Sequence, residues 1–143
     1  MSIIDSDRSL LALLSENARM PTAVLARKLG LSRTTVQARL ERLERDGVIT
    51  GYGVRLSSDY ERGLVRAHIL ITLAARALPR VTRDLEAMQA VRIVHSVSGS
   101  FDLIAIVEAP SISALDLVID RIGTIEGVEK TLSSIVLSTR ISR

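Results

Sequence analysis

Hydrophobic positions change period partway along the chain. Up to about residue 56 they recur every three or four residues, and from about residue 65 they alternate or gather in β-branched runs, which predicts helices first and then a sheet with helices. Leu10, Leu11, Leu14 and Ala18 make the first apolar face, with Asp5 as a cap. Leu25, Ala26 and Leu29 make a second, in a short helix from about Thr22. Gly30 stops that helix, because glycine tolerates the left-handed conformation just past a helix end, and Ser32 caps a third. In the third helix Val36, Leu40 and Leu43 fall at i, i+4 and i+7 and so face the core, until Gly47 ends it. Val48-Ile49 and Tyr52 to Leu56 read as two short strands around Thr50-Gly51, a wing. Residues 1–56 are thus expected to form a winged helix-turn-helix, and the polar stretch 57–64 a linker.

Residues 65–143 predict a second domain. Four strand-like runs, Val65 to Leu73, Val91 to Ser98, Asp102 to Ala109 and Val128 to Leu137, are separated by two helices. One helix carries Leu78, Val81, Leu85 and Met88, with Pro79 in its first turn, and the other Ile112, Leu115, Val118, Ile119 and Ile122. The order βαββαβ implies a ferredoxin-like sheet with both helices on one face, so the fold class is α+β. The third run is apolar on both sides, Leu103, Ala105 and Val107 against Ile104 and Ile106, and a second subunit is expected to cover the face that the helices leave open.

Charge sharpens the first half. The net charge of +3 says little by itself, but Arg19 to Arg45 holds seven basic residues against two acidic ones. Opposite the core positions of the third helix lie Thr34, Ala38, Glu41 and Arg45, flanked by Thr35, Gln37 and Arg42. Small and hydrogen-bonding groups of this kind suit a helix N-terminus in a major groove: Gln for an adenine edge, Arg for guanine, Thr or Ala methyls for thymine. Ser32 and the free amides beside it suit a phosphate, and Arg33 adds charge there. Arg39 sits nearer the core side, where its head either reaches a phosphate or pairs with a carboxylate such as Asp46. Three aromatic residues are too few for a single-strand stacking platform, so the expected partner is duplex DNA.

Other classes recede. The chain has no cysteine, which removes disulfides, thiolate metal sites and cysteine nucleophiles. It has no glycine-rich phosphate loop, GxSxG or metal-ligand cluster, and His68 and His95 fall within strand patterns, so no enzyme activity and no cofactor are expected. Apolar runs such as Leu103 to Val107 are far too short to span a bilayer, and the acidic start is unlike a signal peptide, so a cytoplasmic protein without membrane contact is expected.

From Asp7 to Tyr52 the chain resembles the DNA-binding half of the Lrp/AsnC family of leucine- and asparagine-responsive transcriptional regulators. The resemblance rests on Asn17-Ala18-Arg19, Leu25-Ala26, Gly30-Leu31-Ser32, Thr34, Val36, Arg39-Leu40, Leu43-Glu44, Gly47-Val48-Ile49 and Gly51-Tyr52. It continues in Val97-Ser98-Gly99-Ser100-Phe101-Asp102, which is similar to the family's effector loop, and it departs at Pro21 and Ser100. The family's second domain is ferredoxin-like, in agreement with the βαββαβ reading. The resemblance implies a regulator that binds specific duplex sequences and responds to an amino acid or related metabolite through its assembly, as a dimer assembling further to an octamer.

At the loop, Gly99 leaves backbone amides open for an amino-acid carboxylate; Asp102 can hold the ammonium group and Phe101 can wall the side chain. The same residues also suit a plain strand connection with Asp102 capping the turn. Because the family pocket lies between dimers, the resemblance adds Ser133, Ser134 and Thr139 as second contributors. Two alternatives share the plan: a chromosome-organising protein without an effector, and an enzyme like the siroheme decarboxylases.

Overall fold

Gly30 and Ser32 set the geometry of the first three helices, α1 (Asp5–Glu16), α2 (Thr22–Leu29) and α3 (Arg33–Arg45). Gly30 adopts φ +66°, and Leu31 N–H donates back to the Ala26 carbonyl, closing α2. Two residues on, Ser32 is extended and its hydroxyl accepts from Thr35 N–H at 3.1 Å, which starts α3. Pro21 precedes α2 without a side-chain cap. The helices enclose Leu10, Leu14, Leu25, Ala26, Val36 and Leu43, with Leu40, Val48 and Ile49 packed against them. The computed structural model describes residues 5–57, 60 and 63–142.

The expected strand pair of the wing is not formed among the described residues. Gly47, at φ +71°, turns the chain back on α3, and Val48 and Ile49 N–H both donate to the Leu43 carbonyl. Those amides complete the helix end and cannot begin a ladder. Gly51 to Ser57 continues without regular structure, with Tyr52, Val54 and Leu56 exposed. The chain divides into two compact units between Arg55 and Leu56; within the expected linker, residues 58, 59, 61 and 62 lie outside the described residues.

The second unit runs β1 (Val65–Leu73), α4 (Leu78–Glu86), β2 (Val91–Ser96), β3 (Leu103–Ala109), α5 (Ile112–Gly123) and β4 (Val128–Ile135). β2 and β4 end two residues before the sequence pattern does, and β3 starts one residue later. The sheet is antiparallel in the order β2-β3-β1-β4, the ferredoxin-like arrangement, with Ile69 opposite Ala105 and Ser133. Alternation does the sorting. Ala67, Ile69 and Ile71 of β1 and Leu103, Ala105, Val107 and Ala109 of β3 are buried with Val81 and Leu85 of α4 and Leu115 and Ile122 of α5. Each fully buried Leu or Ile side chain here contributes about 1.5–3 kcal/mol. Gly127 is required where the loop before β4 meets α4: at φ +102°, an added Cβ would lie 2.6 Å from that of Ala77.

The other sheet face is uncovered in the isolated chain. Register places Ile93, Ile106, His68 and Ser134 in one row across it, and His95, Ile104, Leu70 and Leu132 in the next. Ile93 and Leu132 are about half exposed, at 48% and 52%. Both histidines are exposed there. Among the described residues no helix is long and apolar enough to cross a membrane, and no group of His, Asp or Glu is placed to hold a metal.

Candidate nucleic-acid interface and effector loop

Core packing of Val36 and Leu43 fixes which way α3 faces. Arg33, Thr34, Gln37, Ala38, Glu41 and Arg45 are exposed, and Thr35, Arg39 and Arg42 are half-buried. At the N-terminus, Thr35 Oγ1 lies 2.8 Å from Ser32 Oγ, so these two hydroxyls and the first amides of the helix form one polar cluster where the helix dipole favours an anion. Arg33 stands beside it with no ion pair to another described residue. A turn further on, Gln37 Nε2 donates to Glu41 Oε1 at 3.0 Å. The exposed face therefore offers small side chains, an amide and an unpaired cation, a set that fits base edges and backbone phosphates of a duplex groove.

The half-buried arginines are placed differently. Arg42 Nη2 donates to both oxygens of Asp7, at 2.8 and 2.9 Å, and the Asp7 carboxylate is completely buried. Its charge is thus compensated inside the unit, and it ties the start of α1 to α3. The partner was not foreseen from sequence, although Asp7 falls in line with Leu10 and Leu14, and an acid on an apolar stripe signals a buried cation. Of the two destinations open to Arg39, a phosphate or a carboxylate such as Asp46, the pairing with Asp46 is not formed. Asp46 lies 3.8 Å from Arg45 Nε instead, and Arg39 Nη1 is buried with no hydrogen-bond partner among the described residues.

Beyond α3, the Tyr52 hydroxyl donates to Glu44 Oε1 at 2.6 Å, tying the following segment to the helix. That hydrogen bond first, then burial and the carboxylate's charge, hold the phenol above its usual range. Arg55 Nη2 donates to the Glu16 carbonyl at the end of α1.

In the second unit, the loop between β2 and β3 is fastened at its ends and open in the middle. Val97 N–H donates to the Asp102 carbonyl, Asp102 N–H to the Ile71 carbonyl, and Leu73 N–H to Asp102 Oδ2 at 2.7 Å. The carboxylate thus holds the loop to the end of β1, as a turn-capping aspartate does, with its other oxygen still available. Gly99 has φ +111° and open space where a side chain would be; Ser98 and Ser100 are exposed and Phe101 is half-buried. Ser133, Ser134 and Thr139 are exposed but not gathered at this loop. Ser133 and Ser134 lie opposite Ile69 and His68 and face opposite sides of the sheet, and Thr139 follows β4 at the end of the sheet where β1 begins. A single chain does not bring the two groups together.

A helix-turn-helix that presents α3 in this way, joined to a separate ferredoxin-like unit with an open loop, defines a DNA-binding transcriptional regulator with its own ligand-binding unit. Residues 5–50 match the winged helix-turn-helix DNA-binding family, and residues 66–143 match the Lrp/AsnC ligand binding domain. The chain belongs to the Lrp/AsnC family. It is 29% identical to the HTH-type transcriptional regulator LysM of Saccharolobus solfataricus, over 96% of each chain, and 34% identical to LrpA of Mycobacterium tuberculosis, over 94% of this chain and 90% of that one. Its fold is similar to that of E. coli AsnC, with TM-score 0.89 and 32% identity over 100% of this chain and 97% of that one. It is also similar to the feast or famine regulatory protein of M. tuberculosis complexed with L-methionine, with TM-score 0.87 and 33% identity over 99% and 96%.

Proposed function

We propose that the chain is a sequence-specific regulator that places α3 in the major groove of duplex DNA and answers to an amino acid through its assembly. The observation that carries this reading is the exposed N-terminal half of α3. Thr34, Gln37 and Ala38 are free to meet bases, while Ser32, Arg33 and Thr35 take the flanking phosphates. Arg42, its charge compensated by Asp7, sets the height of the helix over the backbone, and Arg39, half-buried on the inner side, lends charge to it.

The open sheet face supports a homodimer, because a stripe of Leu70, Ile93, Ile104, Ile106 and Leu132 is more apolar than a solvated face needs to be. Two α3 helices in a dimer call for a roughly palindromic site. Ser98, Gly99, Ser100, Phe101 and Asp102 of one molecule then form the effector site with Ser133, Ser134 and Thr139 of a neighbour, in an assembly up to an octamer. L-methionine on a 33% identical relative supports an amino acid as the ligand. The protein acts in the cytoplasm, without catalysis and without a cofactor.

A gel shift on DNA upstream of the chain's own gene, with and without L-methionine and pooled amino acids, tests this. Specific retardation that changes with the pool is expected; equal binding to random duplex would exclude sequence-specific regulation, and an unresponsive specific shift would exclude the effector.

A further inference from the structure

Glu41 is the anomaly on the docking face. It is exposed on the side of the helix that also carries Arg33 and Arg45, and an acid there repels the phosphates that those arginines attract. Arg45 lies one turn further on, the spacing at which a Glu usually pairs with a cation. Yet Arg45 has its ionic contact with Asp46, and the one hydrogen bond of Glu41 among the described residues is with Gln37, 3.0 Å back toward the helix N-terminus.

That bond determines how Gln37 meets a base. A carboxylate only accepts, so the amide nitrogen of Gln37 faces Glu41 and the amide oxygen faces away. One N–H is used; the other N–H and Oε1 remain as a donor–acceptor fork. Adenine presents the complementary pair in the major groove, N6–H as donor and N7 as acceptor. Guanine presents two acceptors, O6 and N7, so the fixed Oε1 would meet O6 as oxygen against oxygen, beside a negative carboxylate.

We propose that Glu41 is a specificity-determining positioning residue: it locks the Gln37 amide in the orientation that reads adenine and rejects guanine, at the expense of general affinity for DNA. The inference rests on the groove-facing role proposed for α3. A free Gln side chain turns its amide over to suit either a donor or an acceptor, so removing Glu41 relaxes discrimination while removing a repulsive charge.

The test selects binding sites from a random duplex pool with the full-length protein and its variants Glu41→Ala, Glu41→Gln and Gln37→Ala, then measures affinity with the selected adenine changed to guanine or 7-deazaadenine. At one position the wild type is expected to prefer adenine over guanine by about tenfold. E41A is expected to cut that preference to about twofold while binding random duplex more tightly, and E41Q, whose amide donates as well as accepts and so no longer fixes the Gln37 amide, to lose most of the preference with the same gain on random duplex. Q37A should lose the same position, and Q37A/E41A no more than Q37A alone. A consensus unchanged in E41A overturns the inference, as does E41Q keeping the full wild-type preference. A wild type that enriches no sequence at all overturns instead the groove-facing role on which it rests.

Discussion

The two units of this chain solve the packing problem in opposite ways. The second closes its helices on the sheet with an entirely apolar layer, twelve buried residues from four elements and the turn after α4. The first has half as many, and in the first two turns of its third helix Arg33, Thr34, Gln37 and Ala38 stay exposed and add nothing to that core. It makes up the difference with polar joints: Ser32 at the start of α3, Asp7 beneath Arg42, and Tyr52 on Glu44. An element that presents its side chains to a ligand has fewer to spend on its own core, and the few directed contacts that hold it become correspondingly important.

The contrast can be broken from either side. In the second unit, Leu85→Ala leaves a cavity in a fully buried layer and should cost about 3 kcal/mol, with hydrogen exchange accelerating at Ile69 and Ala105. In the first, Asp7→Ala strands a part-buried guanidinium and should cost about 2–3 kcal/mol, less than a wholly buried pair because the Arg42 side chain is 31% exposed. Exchange should then accelerate at Leu10 and Val36, DNA affinity should fall, and Asp7→Ala with Arg42→Met should recover part of the stability in a double-mutant cycle. Ser32→Ala should remove about 1 kcal/mol through the lost cap, read as a lower urea midpoint.

The smallest effect is a titration. Because the Tyr52 phenol is held above its ordinary value by Glu44, its contact is intact below about pH 10 and is lost as pH rises through the raised value. Phenolate absorbance should show a late-ionising component from Tyr52, and Glu44→Gln should bring it back toward the ordinary tyrosine value.

Local signals in the sequence reached far into the fold. Gly30, Ser32 and Gly47 mark helix ends through their own backbone preferences, and period-2 alternation in β1 and β3 assigns each side chain to a face. What escaped was non-local or competed for. Asp7 and Arg42 are 35 residues apart, and Leu73 and Asp102 are 29 apart, so neither bond follows from local periodicity. The wing failed as a strand pair because Val48 and Ile49 were needed to finish α3, a claim on the same amides that alternation does not register. For Arg39, proximity in sequence suggested Asp46, but Asp46 meets its immediate neighbour instead. At the docking face, exposure of Gln37 and Glu41 was readable in advance; the bond between them was not, because spacing allows Glu41 to pair forward with Arg45 as readily as backward.

A sheet with one dressed face and one bare face also bears on how the protein can be handled and supplied. In the proposed dimer the bare face is covered; chains diluted far below the concentration at which such a dimer forms would leave Leu70, Ile104 and Ile106 wetted, adhere to vessel walls and unrelated proteins, and lose material without unfolding. Crowded chains would shelter the same stripe in one another. Heat resistance and recovery on purification should therefore climb with protein concentration, and copy number in the cell would set how much of the protein is fit for work.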